Sequence, residues 1–224
     1  MRNPFDGLHN PKLSVSMVFA TPSAHVAAGS TRAQLREALR RKRDDLPQRA
    51  QREAALDAAL ERELRALRTQ CIGAYCASRN EYDALRVLAR VGAELRWPWS
   101  IALPVVQPEL RGMRFCAWAP GQALRAGPYG IEQPADCELE IEPEVLLVPC
   151  VGFAEDGLRL GYGGGYYDRY LQHRARVLTI GLAFDACRVE GLAAQPHDRP
   201  LDLVLTERRR YLRPAQTPRP RGGA

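Results

Sequence analysis

The sequence predicts an α/β fold: a single domain of three α/β/α layers around a mostly parallel sheet. Three observations predict it. Short apolar runs of strand length recur along the chain, stretches with leucines at helical spacing separate the early ones, and the run 144–153 (EVLLVPCVGF) is apolar without alternation, the mark of a strand buried on both faces. The composition, 46% hydrophobic, 26% charged and 7% aromatic over 224 residues, is that of an ordinary globular chain and excludes wholesale disorder and collagen-like repetition. No stretch approaches the about 18 apolar residues of a membrane-spanning helix.

In chain order, residues 1–30 read as a disordered, dispensable extension, and Met17 offers a later start. Its apolar part, 13–28, is broken by Ser16, Thr21, Pro22 and His25, which argues against a secretion signal. From Thr31, a candidate cap, Leu35, Leu39 and Leu46 recur near the helical period until Pro47, and a second helix runs through Leu56, Leu60, Leu64 and Leu67. CIGAYC (71–76) then reads as a strand, 77–80 as a loop and about 81–91 as a helix. Further strands are IALPVV (101–106), MRFCAW (113–118), 144–153, RVLTIGLAF (176–184) and LDLVLT (201–206). Between 119 and 144 the Pro, Gly and acid content predicts long surface loops. The domain spans 31–207, and 208–224 form an Arg/Pro-rich tail, frayed from 213 onward.

The formal charge of +6 is unevenly placed. Residues 206–224 carry Arg208, Arg209, Arg210, Arg213, Arg219 and Arg221 against Glu207 alone, so the body is nearly neutral and no chain-wide surface for nucleic acid is indicated. Only Lys12 and Lys42 are lysines; the arginine excess reads as coding bias with a possible benefit for anion binding. The six cysteines, at 71, 76, 116, 137, 150 and 187, form no C-x-x-C pair and read as reduced core thiols in a cytoplasmic protein.

The segment that carries chemistry is 151–171, VGFAEDGLRLGYGGGYYDRYL. It follows the buried strand, places Gly161, Gly163, Gly164 and Gly165 within five positions, and passes into a short helix. Glycines leave backbone N–H groups able to curl around an anion, and a phosphate is the natural guest. Arg159 and Arg169 flank the loop to neutralise it, and Asp168 is placed to hold a magnesium that a polyphosphate brings. The competing reading is a tight turn that needs positive φ. The loop lacks the G-K-[ST] of a Walker motif and the spacing of a dinucleotide fingerprint.

RLGYGGGYYDRYL resembles the R-L-G-x-G-x-G-Y-Y-D core of the 5-formyltetrahydrofolate cyclo-ligases, also called methenyltetrahydrofolate synthetases. RAQLR (32–36), IGAYCASRNEYD (72–83), MRFCAW with GPYGIEQP (127–134), and HDRPLDLVLTE (197–207) resemble other parts of that family in the same order, so the likeness covers about 31–207. It implies an enzyme that uses ATP and Mg2+ to close 5-formyltetrahydrofolate into 5,10-methenyltetrahydrofolate, releasing ADP and phosphate through a phosphorylated formyl group. Partners would be these small molecules, with neither nucleic acid nor membrane, and the protein would act as a monomer.

The resemblance also implies site residues. Arg32 and Arg36, four apart on one helix face, would contact ATP phosphate; a solvated stripe with Arg40, Arg41, Lys42 and Arg43 is the alternative. Arg159, Leu160, Gly161, Tyr162, Gly163, Gly164, Gly165, Tyr166 and Tyr167 would wrap the triphosphate, with Arg159 and Tyr167 catalytic. Asp168 and Asp202 would hold magnesium, although Asp202 also fits an alternating strand surface. Glu81 would bind the pterin, whose ring edge offers adjacent N–H donors, or else complement a helix start. Cys76, Phe115 and Trp118 would line the folate pocket, or serve as core. Two residues depart from the family pattern: Arg32 replaces a lysine and Cys187 a glutamine. His197 and Asp198 read as structural. A relative with shifted substrate or lost turnover, and a phosphate- or RNA-binding module using the basic tail, are the rival readings.

Overall fold

The computed structural model describes residues 24–25, 31–96 and 98–214. The expected extension 1–30 therefore lies outside the described residues except for β1 (Ala24–His25), which pairs in parallel with β11 (Val189–Glu190). The chain continues through α1 (Arg32–Asp44), α2 (Arg49–Ala66), β2 (Cys71–Gly73), α3 (Leu85–Glu94), β3 (Ser100–Gln107), β4 (Gly112–Trp118), β5 (Leu124–Ala126), β6 (Glu132–Pro134) and β7 (Val145–Pro149). It then forms β8 (Gly152–Phe153), β9 (Arg159–Leu160), α4 (Tyr166–Leu171), β10 (Leu178–Leu182), β11, β12 (Leu203–Leu205) and β13 (Arg210–Leu212).

Seven strands make the main sheet in the order β13-β12-β10-β7-β2-β3-β4. The five central strands are parallel, and antiparallel β13 and β4 close the two edges. Strand residues alternate between two cores. Ile72, Ile101, Val145, Leu147, Ile180 and Leu203 face Leu56, Leu60 and Leu64 of α2 and Val87, Leu88 and Val91 of α3. Leu146, Val148 and Val204 face Tyr170 and Leu171 of α4. The three-layer, mostly parallel architecture is thus the one the apolar runs predict. Each leucine of α2 is fully buried, and removing one to alanine costs about 2–5 kcal/mol.

Local chemistry sets the ends of the helices. Thr31 caps the start of α1, as the sequence suggests, and together with Gln34 it forms a reciprocal capping box. The third helix begins at Leu85, four residues after the expected start, because Arg79 and Asn80 are both left-handed (φ 49° and 59°) and the Asp83 carboxylate accepts from the Leu85 amide.

Three further expectations are corrected. The stretch 119–144 contains the hairpin β5–β6 as well as loops. The sheet does not stop at Glu207: β13 lies in what reads as tail. Cys116 and Cys137 are joined in a disulfide, with Cα atoms 5.3 Å apart, so only Cys71, Cys76, Cys150 and Cys187 are buried thiols. Backbone hydrogen bonds from Ala117 to Leu139 and from Ile141 to Phe115 lay the loop along β4, bringing Cys137 to Cys116 across a separation of 21 residues that carries no periodic signal.

Candidate active site

The parallel strands point their carboxyl ends at one rim, where α1, the segment after β2, Cys150 after β7, and the β9–α4 loop converge. The turn 78–81 supplies a carboxylate. Glu81 Oε2 accepts from the Ser78 amide (2.9 Å) and hydroxyl (3.2 Å), whereas Oε1 is buried and has no hydrogen-bond partner among the described residues. The side chain is 9% exposed, and burial raises its pKa above the usual carboxylate range, offset in part by the Ser78 amide, Tyr162 and Arg43. Asn80 Nδ2 donates to Asp44 (2.9 Å), and Arg49 donates to the Asn80 carbonyl (3.0 Å), so α1 and α2 hold the turn between them.

The glycine-rich loop stands beside it. None of the backbone amides from 161 to 168 donates a hydrogen bond to another described residue. Gly163 has φ +100°, and a side chain there would meet the Arg36 guanidinium at 3.4 Å. Arg36 Nε donates to the Gly161 carbonyl (2.7 Å), and burial together with nearby Arg32 lowers its pKa. The α4 helix has only six residues, too short for a large dipole, so amides and Arg36 are the groups that can meet an anion here. Arg169 donates to the carbonyls of Gly164 (2.7 Å) and Arg111 (2.5 Å) and stays outside that row. Leu160 is core, and its carbonyl accepts from the Val151 amide (2.9 Å).

Arg159 reaches from β9 to Asp168 (3.1 Å) and to the Arg199 carbonyl (3.1 Å), and lies 5.7 Å from the Tyr167 ring centroid. Burial pushes the Tyr167 hydroxyl well above its usual pKa, with Glu81, Cys150 and Cys76 as further neighbours. Cys76 is buried at the same rim, its thiol pushed up to about 12 by burial. Tyr166 points the other way and shares a hydrogen bond with the Tyr129 hydroxyl at 2.9 Å.

Several expected site residues are engaged by other groups of the protein or lie away from the rim. Arg32 is bidentate to Asp198 (3.1 and 2.5 Å) and also donates to the Ala193 carbonyl, which makes Asp198 the structural residue its context suggests. Phe115 sits in the core against Tyr170, ring centroids 5.0 Å apart. Trp118 is the last residue of β4 and, because β4 is antiparallel, lies opposite Ile101 at the start of β3, away from the rim. There it lines an open cavity of about 770 Å³ with Trp99 and Leu139. Asp202 precedes β12 at the amino ends of the strands, accepting from the Thr179 amide (2.9 Å) and hydroxyl (2.8 Å) and facing Arg213 at 3.6 Å. The two expected metal carboxylates are not gathered into one cluster: no group of three His, Cys, Asp or Glu able to hold a metal occurs among the described residues.

The sequence reading misses Arg43, Tyr75 and Cys150, which line the small cavity beside Glu81. Arg43 is 3% exposed and is no part of a solvated stripe. The signal was present: Leu35, Leu39 and Arg43 fall four apart on one buried helix face.

The chain matches the family model of the 5-formyltetrahydrofolate cyclo-ligase family over residues 25–207. It is 36% identical to the 5-formyltetrahydrofolate cyclo-ligase of Escherichia coli over 113 residues, 47% of this chain and 62% of that one. To the Haemophilus influenzae enzyme of the same name it is 32% identical over 113 residues, 60% of that chain. The chain thus spans about six-tenths of the length of these curated relatives. The solution structure of 5,10-methenyltetrahydrofolate synthetase from Aquifex aeolicus superposes with a TM-score of 0.65 at 27% identity, covering 84% of this chain and 96% of that one. The synthetase from Mycoplasma pneumoniae shares the fold, with a TM-score of 0.64 at 22% identity over 80% of this chain and 99% of that one.

Proposed function

The chain belongs to the 5-formyltetrahydrofolate cyclo-ligase family, and we propose that it closes 5-formyltetrahydrofolate into 5,10-methenyltetrahydrofolate with consumption of ATP. The observation that carries this reading is the placement at one rim of a buried carboxylate oxygen of Glu81 without a partner and a row of solvent-reachable amides over 161–168 that donate to no other group, both among the described residues. The first suits the adjacent N–H donors of a pterin edge, and the second the oxygens of a triphosphate.

In this reading the formyl oxygen attacks the terminal phosphorus and ADP leaves. N10 of the folate then attacks the activated formyl carbon, phosphate departs and the N10 proton is lost to water. Enzymatic phosphoryl transfer of this kind asks mainly for positioning and charge compensation. The loop amides and Arg36 hold the phosphates, Arg159 balances charge on the group in flight, and Tyr167 lines the space between the two substrates. Magnesium arriving on a nucleotide needs only one or two protein carboxylates beside the phosphate oxygens. Asp168, at the edge of the loop with its oxygens on Arg159 and the Arg199 amide, fits that need. Asp202, held by Thr179 and Arg213, does not.

The rival reading of the tail as a nucleic-acid arm is weakened by the fold. Arg208, Arg210 and Arg213 form ion pairs with Asp185, Glu63 and Asp202. The deciding experiment mixes purified protein, Mg-ATP and 5-formyltetrahydrofolate and follows the near-ultraviolet absorbance of the methenyl product. Growth that requires ATP supports the proposal, and its absence with folded protein rejects it.

A further inference from the structure

Arg43 is a charged side chain buried where the proposed chemistry does not use it. Taking a guanidinium out of water carries a penalty of several kcal/mol unless partners replace the lost hydration. Here the partners are the Arg79 carbonyl (2.7 Å) and the Tyr162 hydroxyl (2.8 Å), both reached by Nη2. The first belongs to the turn that carries Glu81, the second to the glycine-rich loop. The Arg79 guanidinium in turn stacks on the Tyr162 ring, 5.3 Å from its centroid. Two strands of contact thus run from the Glu81 turn to the loop, and one of them passes through Arg43.

A second observation points to the same residue. Arg43 Nε is buried without a hydrogen-bond partner, as is Glu81 Oε1. Arg43 and Glu81, of opposite charge, line one cavity of about 10 Å³, the room of a single water. The guanidinium offsets part of the carboxylate's charge without forming a direct ion pair with it, which leaves Oε1 available to a ligand.

We propose that Arg43 is a positioning residue that couples the folate side of the site to the nucleotide side. It holds the Glu81 turn and compensates its charge, and through Tyr162 it moves with the loop that grips phosphate. Nucleotide binding then improves folate binding, and by linkage folate improves nucleotide binding by the same factor. This inference rests on the reading of Glu81 as the folate contact and of the loop as the phosphate contact.

The test measures the Kd of 5-formyltetrahydrofolate with and without β,γ-methylene-ATP, for the wild type, Arg43→Met and Arg43→Lys. The wild type should bind folate at least fivefold tighter with nucleotide present. Arg43→Met should lose at least tenfold in folate affinity and bring the nucleotide effect to about onefold. Arg43→Lys should recover affinity through its charge without recovering the coupling, since an ammonium is not the planar fork that spans both partners. If Arg43→Met does not fold, Arg43→Lys decides by the same coupling ratio. A wild type indifferent to nucleotide, or a folded variant whose affinity and coupling stay within twofold of wild type, overturns the proposal. Should the wild type bind no folate at all, the proposed function falls. The positioning role is then judged by amide exchange over 78–81 in ligand-free protein: at least tenfold faster in Arg43→Met supports it, and unchanged exchange overturns it.

Discussion

Replacing Glu81 by glutamine should make the ligand-free protein more stable while removing its affinity for folate. Burial dominates at this carboxylate: one oxygen is satisfied by Ser78, and the other is buried without a partner. An unsatisfied buried acceptor costs about 1–3 kcal/mol, more when charged. Glutamine keeps an oxygen for Ser78 and removes the charge, at the expense of about 1 kcal/mol in weaker, no longer charge-assisted bonds and of the attraction to Arg43. The net gain at neutral pH is about 1 kcal/mol, or about 2–4 °C in Tm for a chain of this size. The sign with pH follows from the direction of the shift. A carboxyl whose folded pKa is raised contributes stability that is fully present below its unfolded pKa, about 4.3, and is lost as pH rises through the folded value. The groups facing Glu81 are Arg43 from α1, Tyr162 and Tyr167 from the loop and α4, Tyr75 after β2, and Cys150 after β7, and none is altered by the substitution. Thermal unfolding of both proteins at about pH 7.5 and about pH 4 therefore reads the effect as a difference, with the variant's advantage disappearing in acid. A glutamine variant less stable than wild type at neutral pH, or a gap independent of pH, would show that Glu81 is fully compensated inside and refute the reasoning.

Gly163→Ala should weaken nucleotide binding at least tenfold by calorimetry, because alanine strains φ +100° by about 1–3 kcal/mol and shifts the loop that would meet the phosphates. Asp168→Asn should lower turnover at least tenfold at saturating ATP and magnesium, since it removes the carboxylate charge proposed to meet the magnesium and weakens the pair with Arg159; a smaller loss removes Asp168 from the metal role. Reducing the Cys116–Cys137 bridge, which closes 21 residues, should lower stability by about 3 kcal/mol in urea unfolding, and a loss under about 1 kcal/mol would show that the bridge adds little to the fold. Truncation after Pro214 should leave turnover within twofold, whereas truncation after Glu207 should destabilise the protein by removing β13 and the Arg210–Glu63 pair.

The parts of this structure legible in the sequence are those with a local cause. Apolar runs at 101–106, 144–153 and 176–184 announce the buried strands, and the Thr31 cap and Pro47 bracket the first helix. The glycine cluster marks a loop whose backbone needs positive φ at 163 and 165. What was not legible depends on residues distant in the chain. The bridge between Cys116 and Cys137, the edge strand after Glu207 and the removal of Trp118 from the site all follow from which strand pairs with which, and in which direction. Arg43 is an intermediate case, since its helical phase pointed inward while its neighbours Arg40, Arg41 and Lys42 argued for solvent.

The same distinction explains which arginine can serve a phosphate. The abundance of arginine suggests a broadly anion-binding surface, but the fold commits most of the well-placed guanidinium groups to carboxylates of its own. Arg52 is buried against Glu207 at 2.5 Å, tying α2 to the end of β12, and Arg32, Arg159 and Arg210 hold Asp198, Asp168 and Glu63. Removing one partner of a fully buried pair such as Arg52–Glu207 costs about 3–5 kcal/mol, so that guanidinium cannot be lent to a ligand cheaply. Arg36 differs. It rests on a carbonyl, has no carboxylate partner among the described residues, and its lowered pKa reflects burial next to a second arginine. Its charge is offset only in part, by Asp198, so in the proposed function an incoming phosphate would relieve the repulsion from Arg32 and meet the loop amides at once. In the proposed function, electrostatic selection of the substrate would come from where the internal ion pairs leave a gap, and net charge says little about it.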